Sequence, residues 1–248
     1  MSMNKNIRYD TGEIASFYKK NRIKWENFYP SERYIFEAIG LNRQSHVLDI
    51  GCGCGGLGNA LKERFGILHY TGVDINEKAI LAGRALYPEF NLLAGDILNV
   101  NHLGINPASF DTVVSLSCID WNVEFDKMLS AAMQCLKPGG KFVSSFRLTD
   151  KHSIISIDSS FQYINFNNKL EGERAPYVIM NYGELMQKLL AYNPKQIHAY
   201  GYNGKPGSTA VTPYQEICFS VFAITKGPAD TCEFNIELPE LVCNVSEK

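Results

Sequence analysis

The residues with the clearest potential for chemistry form a glycine-rich segment, VLDIGCGCGGLG, at residues 47–58. Gly51, Gly53 and Gly56 match the pattern G-x-G-x-x-G, which is typical of loops that hold dinucleotides. Glycines let a backbone approach a ligand closely, and a helix that begins inside the loop offers unpaired N–H groups. The segment therefore predicts a ligand-binding loop and raises the question of whether its ligand is NAD.

Asp49, two residues before the first loop glycine, argues against a dinucleotide. A pyrophosphate is anionic and prefers N–H donors, so a carboxylate at this place has no evident use. S-adenosylmethionine (SAM) carries a sulfonium and an ammonium and has no phosphate. A cationic ligand of that kind would accept a nearby acid, directly or through the loop.

The loop lies at the start of an alternating series of strand and helix patterns. Apolar runs typical of strands occur at 46–50, 68–75, 91–95, 110–117, 141–148, 196–203 and 214–225. Helix-like segments occur at 32–39, 56–65, 76–87, 123–136 and 182–193. Such alternation predicts an α/β fold whose parallel sheet has helices on both faces. Ligands of these sheets bind at the carboxyl ends of the strands, which is where the glycine loop follows its strand.

The chain divides into three parts around this series. Residues 1–40 are predicted as an N-terminal helical cap, and residues 41–227 as the core. A polar, aromatic and irregular segment at 149–181 is predicted as an insertion after the fifth strand, on the substrate side of the core. Residues 228–248 are acidic and are predicted as a C-terminal extension.

Proline and glycine residues interrupt the predicted helices and strands at two places. Pro30 is expected to interrupt the N-terminal helical region, with Ser31 capping the helix that follows. The Gly/Pro-rich residues 203–213 are expected to form only a connection between the last two strands.

Composition and charge narrow the class of partner. Lys and Arg number 24 against 26 acids, a net charge of −2 without a basic excess, which disfavours a nucleic acid as the main partner. No apolar run approaches the roughly 18–20 residues that cross a bilayer, and the first residues lack a signal-peptide core. We expect a cytoplasmic monomer or homodimer without a membrane partner.

The cysteines do not form a recognisable metal motif. There are seven, irregularly spaced, and only Cys52 and Cys54 form a close pair. A zinc site usually needs about four nitrogen or sulfur ligands that arrive as two such pairs. We therefore expect reduced thiols and no metal.

Five segments in order resemble the motifs of class I SAM-dependent methyltransferases. They are VLDIGCGCG at 47–55, YTGVDIN at 70–76, LLAGDIL at 92–98, FDTVVSLS at 110–117 and CLKPGGKFV at 135–143. In the first, Gly51, Gly53 and Gly55 stand for the three family glycines, while Cys54 departs from the usual Thr or Ser. The matches span the core from about residue 45 to 146. The resemblance implies a Rossmann-like, seven-stranded, mostly parallel sheet with an antiparallel last strand, and SAM as the cofactor, released as S-adenosylhomocysteine.

The resemblance also implies roles for cofactor residues. Asp74 should accept hydrogen bonds from both ribose hydroxyls, Ile75 should pack on the adenine, and Asp96 should accept from the adenine amino group. The backbone N–H of Ile97 should reach a ring nitrogen, and Ser115 should lie under the methionine portion. The loop itself should contribute through Asp49, Gly51, Cys52, Gly53 and Gly55. Taken singly, Asp74 could instead cap a helix and Asp96 could be a turn residue.

Methyl transfer needs an acceptor held in line with the methyl group, and a general base only when the acceptor is protonated. His152 is the first candidate base because an unperturbed imidazole titrates near pH 6.5. Asp120 is the second. His152 could instead be a solvated loop histidine, and Asp120 could instead cap a helix.

The expected acceptor is a small molecule in an enclosed pocket. Its predicted walls are Tyr18, Trp25 and Tyr29 of the N-terminal segment, with Trp121 and Arg147 beyond the fourth and fifth strands. We expect transfer to oxygen or nitrogen of a sugar, sugar nucleotide or secondary-metabolite intermediate. The absence of a [DN]-P-P-[FY] motif counts against methylation of exocyclic amines of nucleic-acid bases. A protein or RNA methyltransferase and a non-catalytic SAM-binding module stay as alternatives; Asp49 and the turn at 137–140 disfavour an NAD oxidoreductase.

Overall fold

The computed structural model describes residues 17–165, 168–228 and 231–243. Its α-helices are α1 Pro30–Ala38, α2 Gly56–Phe65, α3 Glu77–Leu86, α4 Phe125–Cys135, α5 Tyr182–Leu190 and α6 Glu240–Cys243. Short 3-10 helices span Trp25–Asn27, Ile97–Leu103 and Ile119–Trp121. Within these residues, no helix has the length and apolar content needed to cross a membrane, and no group of three or more His, Cys, Asp or Glu side chains could hold a metal ion.

Twelve strands occur in the described part of the chain. They are β1 His46–Ile50, β2 His69–Asp74, β3 Asn91–Ala94, β4 Phe110–Ser115, β5 Leu136–Thr149, β6 Phe161–Ile164, β7 Glu173–Pro176, β8 Met180–Asn181, β9 Gln196–Gly204, β10 Ala210–Val211, β11 Ile217–Thr225 and β12 Glu233–Glu237. The turn residues before the predicted fifth strand lie inside β5, where the register against β4 shifts between Phe110 and Thr112.

The main sheet confirms the predicted α/β class and is wider than predicted. Its order is β3-β2-β1-β4-β5-β11-β9-β12, with β8 beside β5. Strand β11 runs antiparallel to β5 and to β9, as expected for the last of the seven predicted strands. Strand β12 is an eighth strand in this order and runs parallel to β9. It is formed by residues that were predicted only as a C-terminal extension. Most of its side chains are exposed, so β12 lacks the apolar run that marked the other strands.

Two apolar layers cover the faces of this sheet. Phe36 of α1 and Leu61 of α2 belong to one cluster, and Phe125 of α4 belongs to the other. Neighbouring residues of β11 point to opposite faces, so Val221 joins the first cluster and Phe222 the second. This arrangement confirms helices on both faces and leaves the carboxyl ends of the parallel strands open for a site.

A second, three-stranded sheet has the order β10-β6-β7. Strands β6 and β7 come from the predicted insertion, whereas β10 comes from the segment expected to be only a connection. Ala210 pairs with Gln162, and Phe161 pairs with Pro176. The Gly and Pro residues around β10 indicated turns correctly but carried no information about a partner 48 residues earlier in the chain.

The start of α1 differs from the expected cap. Tyr29 is the N-cap residue, and Pro30 is the first residue of the helix rather than an interruption. Proline is well tolerated there because the first N–H of a helix has no intrahelical partner. Glu32, not Ser31, completes the cap, since its carboxylate accepts the Tyr29 N–H at 2.8 Å.

Candidate active site

The glycine loop joins β1 to α2 and depends on its glycines for backbone shape. Gly51, Gly53 and Gly55 have φ of +79°, +55° and +82°, in the left-handed region that side chains disfavour. A Cβ on Gly51 would lie only 2.6 Å from Cys118 Sγ. The N–H groups of Gly51 and Cys52 both donate to the Val73 carbonyl of β2, at 2.8 and 3.1 Å. The loop is therefore held against both neighbouring strands.

Asp74, the last residue of β2, ties this loop in place. One carboxylate oxygen accepts the Gly53 N–H and the other accepts the Asn76 N–H, both at 2.8 Å. Burial raises the pKa of Asp74, and these two N–H donors counteract part of that rise. The N-cap of α3 is Asn76, whose side chain accepts the Ala79 N–H, so Asp74 is not the cap of that helix.

A first cavity of about 70 Å³ opens between the ends of β1, β2 and β3. Five predicted cofactor residues line it, namely Gly51, Asp74, Ile75, Asp96 and Ile97. Asp96 also caps the following 3-10 helix by accepting the Leu98 N–H at 3.0 Å. The chain brings these residues together because β1, β2 and β3 are adjacent and parallel.

Tyr18 lies across the loop between the first cavity and a second. A Cβ on Gly53 would lie 3.1 Å from the Tyr18 ring, so ring and glycine are in contact. Tyr18 lines both cavities. Burial, reinforced by the Asp74 carboxylate, raises the pKa of Tyr18 to about 12. The phenol therefore stays protonated and can donate a hydrogen bond.

The second cavity, of about 380 Å³, lies beside the glycine loop. Asp49 and Cys52 line it together with Tyr29. Asp49 is buried and accepts a hydrogen bond from the Tyr70 hydroxyl at 2.6 Å. Burial raises the pKa of Asp49 to about 7, against the opposing effect of that hydrogen bond. Its charge is thus sensitive to pH near neutrality.

The third cavity, of about 390 Å³, contains a buried charged cluster. The Arg147 guanidinium lies 4.3 Å from the Trp121 ring centroid and 3.8 Å from that of Tyr177. Its Nη1 donates to the Asp120 carbonyl at 2.7 Å and lies 3.4 Å from the Asp120 carboxylate. Burial raises the pKa of Asp120, and Arg147 opposes that rise. Asp120 Oδ1 and Trp121 Nε1 are buried and have no hydrogen-bond partner among the described residues.

The three cavities meet at two residues. Ser117 and Trp121 line all three, whereas Tyr29 lines the second and third. Gln162 of β6 also borders the second and third, so the small sheet forms part of their wall. A molecule in the first cavity and one in the third would approach each other beside Ser117 and Trp121.

Five predicted site residues do not line these cavities: the loop residues Gly53 and Gly55, together with Trp25, Ser115 and His152. Trp25 packs between Phe36 and Phe65, with ring centroids 6.3 and 5.3 Å away. Ser115 is buried, and its hydroxyl accepts the Ile119 N–H at 3.2 Å. His152 is exposed and packs edge-on against Tyr214, 5.9 Å between centroids.

Several lining residues were missed at the level of sequence. They are Arg22, Ser117, Gln162, Tyr202 and Lys205. Ser117 is the last residue of the fourth motif, FDTVVSLS, so the sequence contained a signal for its position. Gln162 and Tyr202 lie on strands that pair with distant parts of the chain, and Arg22 and Lys205 lie in loops without a local motif.

Comparison with known proteins agrees with this geometry. Residues 48–142 match the family described as a methyltransferase domain. Sterol 24-C-methyltransferase of Candida albicans is 28% identical over 155 residues, covering 58% of this chain and 40% of that protein. Malonyl-[acyl-carrier protein] O-methyltransferase of Chlorobium phaeovibrioides is 27% identical over 181 residues, covering 68% of each. The chain thus spans less than half the length of the sterol relative it matches.

A solved structure shares the fold. Phosphoethanolamine N-methyltransferase 2 of Haemonchus contortus, in complex with SAM, superposes with a TM-score of 0.59 at 15% identity, covering 88% of this chain and 58% of that one. Residues 48–142 match a methyltransferase domain, and the fold and the order of the motifs agree with the resemblance to class I SAM-dependent methyltransferases.

Proposed function

We propose that this protein transfers the methyl group of SAM to an oxygen or nitrogen atom of a small molecule. The observation that carries the proposal is the meeting of three cavities at Ser117 and Trp121. The first contains the residues expected to hold an adenosine. The other two, of about 380 and 390 Å³, are the size of small-molecule sites and lie partly under the three-stranded sheet.

The residues present suit SAM as the cofactor. Asp74 offers carboxylate oxygens to ribose hydroxyls at the wall of the first cavity, and Ile75 and Ile97 offer apolar surface to an adenine. Asp49 offers an acid in the second cavity to a cationic amino-acid portion. The first cavity is too narrow for the whole cofactor, so we expect it to extend past Tyr18 into the second. When bound, SAM supplies an electrophilic methyl group on sulfur.

SAM affinity should rise with pH through about 7. The pKa of Asp49, about 7 in the folded protein, implies that the carboxyl is protonated below this pH and charged above it. A cationic ligand favours the charged form. Calorimetric titrations with SAM from pH 6 to pH 8 should show this rise for the wild type. Asp49→Asn, whose side-chain oxygen can still accept the Tyr70 hydroxyl, should bind more weakly at pH 8 and show a flat profile.

The control for this experiment is Tyr70→Phe, which removes the hydrogen bond but keeps the carboxyl. This variant should retain a pH-dependent affinity, with the midpoint moved upward because the Tyr70 hydroxyl lowers the pKa of Asp49. A wild-type SAM affinity that is constant from pH 6 to 8 would exclude a role for the Asp49 charge.

Asp120 is the general base that the geometry favours. It lines the third cavity, and its Oδ1 has no partner among the described residues. Arg147 stabilises the carboxylate from the other side. His152, the first candidate from sequence, is exposed and lies outside the lining of the three cavities, so we do not assign it this role.

Methyl-labelled SAM tests the proposed function directly. The protein is incubated with the labelled SAM and an extract of the source organism, and the products are separated by size. Label in the low-mass fraction is the expected result, and mass spectrometry then identifies the product. Asp74→Ala, which should bind SAM poorly, is the matched control for enzyme-dependent label. Label confined to protein or RNA would refute the small-molecule acceptor, and SAM binding without any labelled product would indicate a binding module.

A further inference from the structure

We infer that Ser117 positions the acceptor, through a hydrogen bond between its hydroxyl and the oxygen or nitrogen atom that receives the methyl group. This inference rests on the proposed function. It adds a named residue and a physical reason for an oxygen or nitrogen acceptor, since a carbon nucleophile would gain nothing from such a bond.

The location of Ser117 is the first support. It follows β4 by two residues and is one of two residues that border all three cavities. Its surface is exposed, and no hydrogen bond joins its hydroxyl to any described residue. A serine hydroxyl donates one hydrogen bond and accepts others, so this one is available to a bound molecule. Trp121, the other shared residue, offers only an N–H donor.

The backbone of Ser117 is the second support. Its φ is +50°, a left-handed conformation that is uncommon outside glycine. Conformations of this kind cost free energy, and they cluster at functional sites where the surrounding structure enforces them. Glycine would adopt this φ at lower cost, yet the position carries a side chain with a polar group.

The neighbouring contacts enforce this conformation. The Ser117 N–H donates to Ser145 Oγ of β5 at 2.7 Å. The next residue, Cys118, packs so closely on Gly51 that a Cβ on Gly51 could not be accommodated. The hydroxyl is therefore held at a set place relative to the glycine loop, which is what alignment of an acceptor with a cofactor methyl group requires.

Each electron pair has a defined destination in the proposed methyl transfer. A lone pair of the acceptor oxygen or nitrogen forms the new bond to the methyl carbon, while the pair of the carbon–sulfur bond stays on sulfur. The proton of the acceptor leaves to Asp120 or to water. Ser117 takes no part in bond making; it orients the acceptor's lone pair and is a positioning residue.

Two substitutions at Ser117 test this role. Ser117→Gly removes the hydroxyl and relieves the backbone, whereas Ser117→Ala removes the hydroxyl and keeps the unfavourable φ. Ala108 has φ of +51° in a turn outside the three cavities, so Ala108→Gly is a matched control for backbone relief. The acceptor is supplied as the low-mass fraction of the source extract, titrated against labelled SAM.

Both Ser117 variants should need about tenfold more of this fraction for half-maximal rate, as expected for one lost hydrogen bond. Their calorimetric SAM affinity should stay within about twofold of the wild type. Ser117→Gly and Ala108→Gly should both match or exceed the wild-type melting temperature, and Ala108→Gly should keep the wild-type half-saturation.

Three results would overturn the inference. Unchanged half-saturation and turnover in Ser117→Gly would show that the hydroxyl is unused. A loss of SAM affinity and thermal stability in both variants would indicate a structural role only. A product whose new methyl group is bonded to carbon, seen by NMR, would exclude the acceptor chemistry. If the wild type yields no low-mass labelled product, the proposed function itself is refuted. A wild type that yields such a product while Ser117→Gly behaves identically refutes only the role of Ser117.

Discussion

Asp74→Ala should weaken SAM binding by about 10- to 150-fold in calorimetric titrations. Hydrogen bonds to a charged group are worth roughly 1.5–3 kcal/mol, which corresponds to this range. The carboxylate is expected to accept from the ribose, and it already accepts the N–H groups of Gly53 and Asn76 at 2.8 Å. Its removal therefore deletes ligand contacts and also releases the glycine loop from the end of β2.

Asp111→Ala is the matched control for Asp74→Ala. Asp111 is also a strand aspartate, and it pairs with Lys137 at 2.7 Å while accepting the His46 N–H at 2.8 Å. It lies at the amino-terminal entry of β4, away from the carboxyl ends where the first cavity opens. SAM affinity should be unchanged in this variant. Equal affinities for Asp74→Ala and the wild type would refute the assignment of Asp74 to the ribose.

Asp120→Asn should lower turnover by about 10²- to 10⁴-fold, the usual contribution of a general base, with SAM affinity preserved. The base must be ionised to accept a proton, so wild-type turnover should fall as pH falls through the pKa of Asp120. That pKa is raised by burial, which moves this limb of the profile to higher pH than for an ordinary aspartate. In Asp120→Asn this limb should disappear.

The control for Asp120→Asn must separate chemistry from stability. Removing one partner of a buried ion pair can cost about 3–5 kcal/mol, and Arg147 would lose its carboxylate partner. Thermal unfolding therefore accompanies the rates, and Asp126→Asn, which removes the partner of Lys188 on the surface of α4, serves as the comparison. Wild-type turnover in a folded Asp120→Asn would mean that water accepts the proton.

The sequence predicted the core of the fold because local patterns carry that information. Helix α2 begins and ends where the pattern placed it, at residues 56 and 65. The glycine loop follows β1, Asp74 ends β2 and Asp96 follows β3. Adjacent parallel strands bring their ends to one edge of the sheet. Five predicted cofactor residues consequently line the first cavity. For β12, an exposed edge strand, the pattern was absent and the prediction missed it.

The second and third cavities depend on tertiary structure. Strand β10 pairs with β6, and the Arg147 guanidinium packs against the rings of both Trp121 and Tyr177. These contacts join segments that are far apart in the chain. A local pattern reports periodicity and turn chemistry, but it does not report which distant surface a segment packs against. His152 illustrates the limit, since a residue type suited to proton transfer lies outside the cavities. The sequence by itself determined the fold class and predicted the residues that line the first cavity, because both follow from local patterns at the strand ends. The packing of distant segments decided which other side chains meet at Ser117.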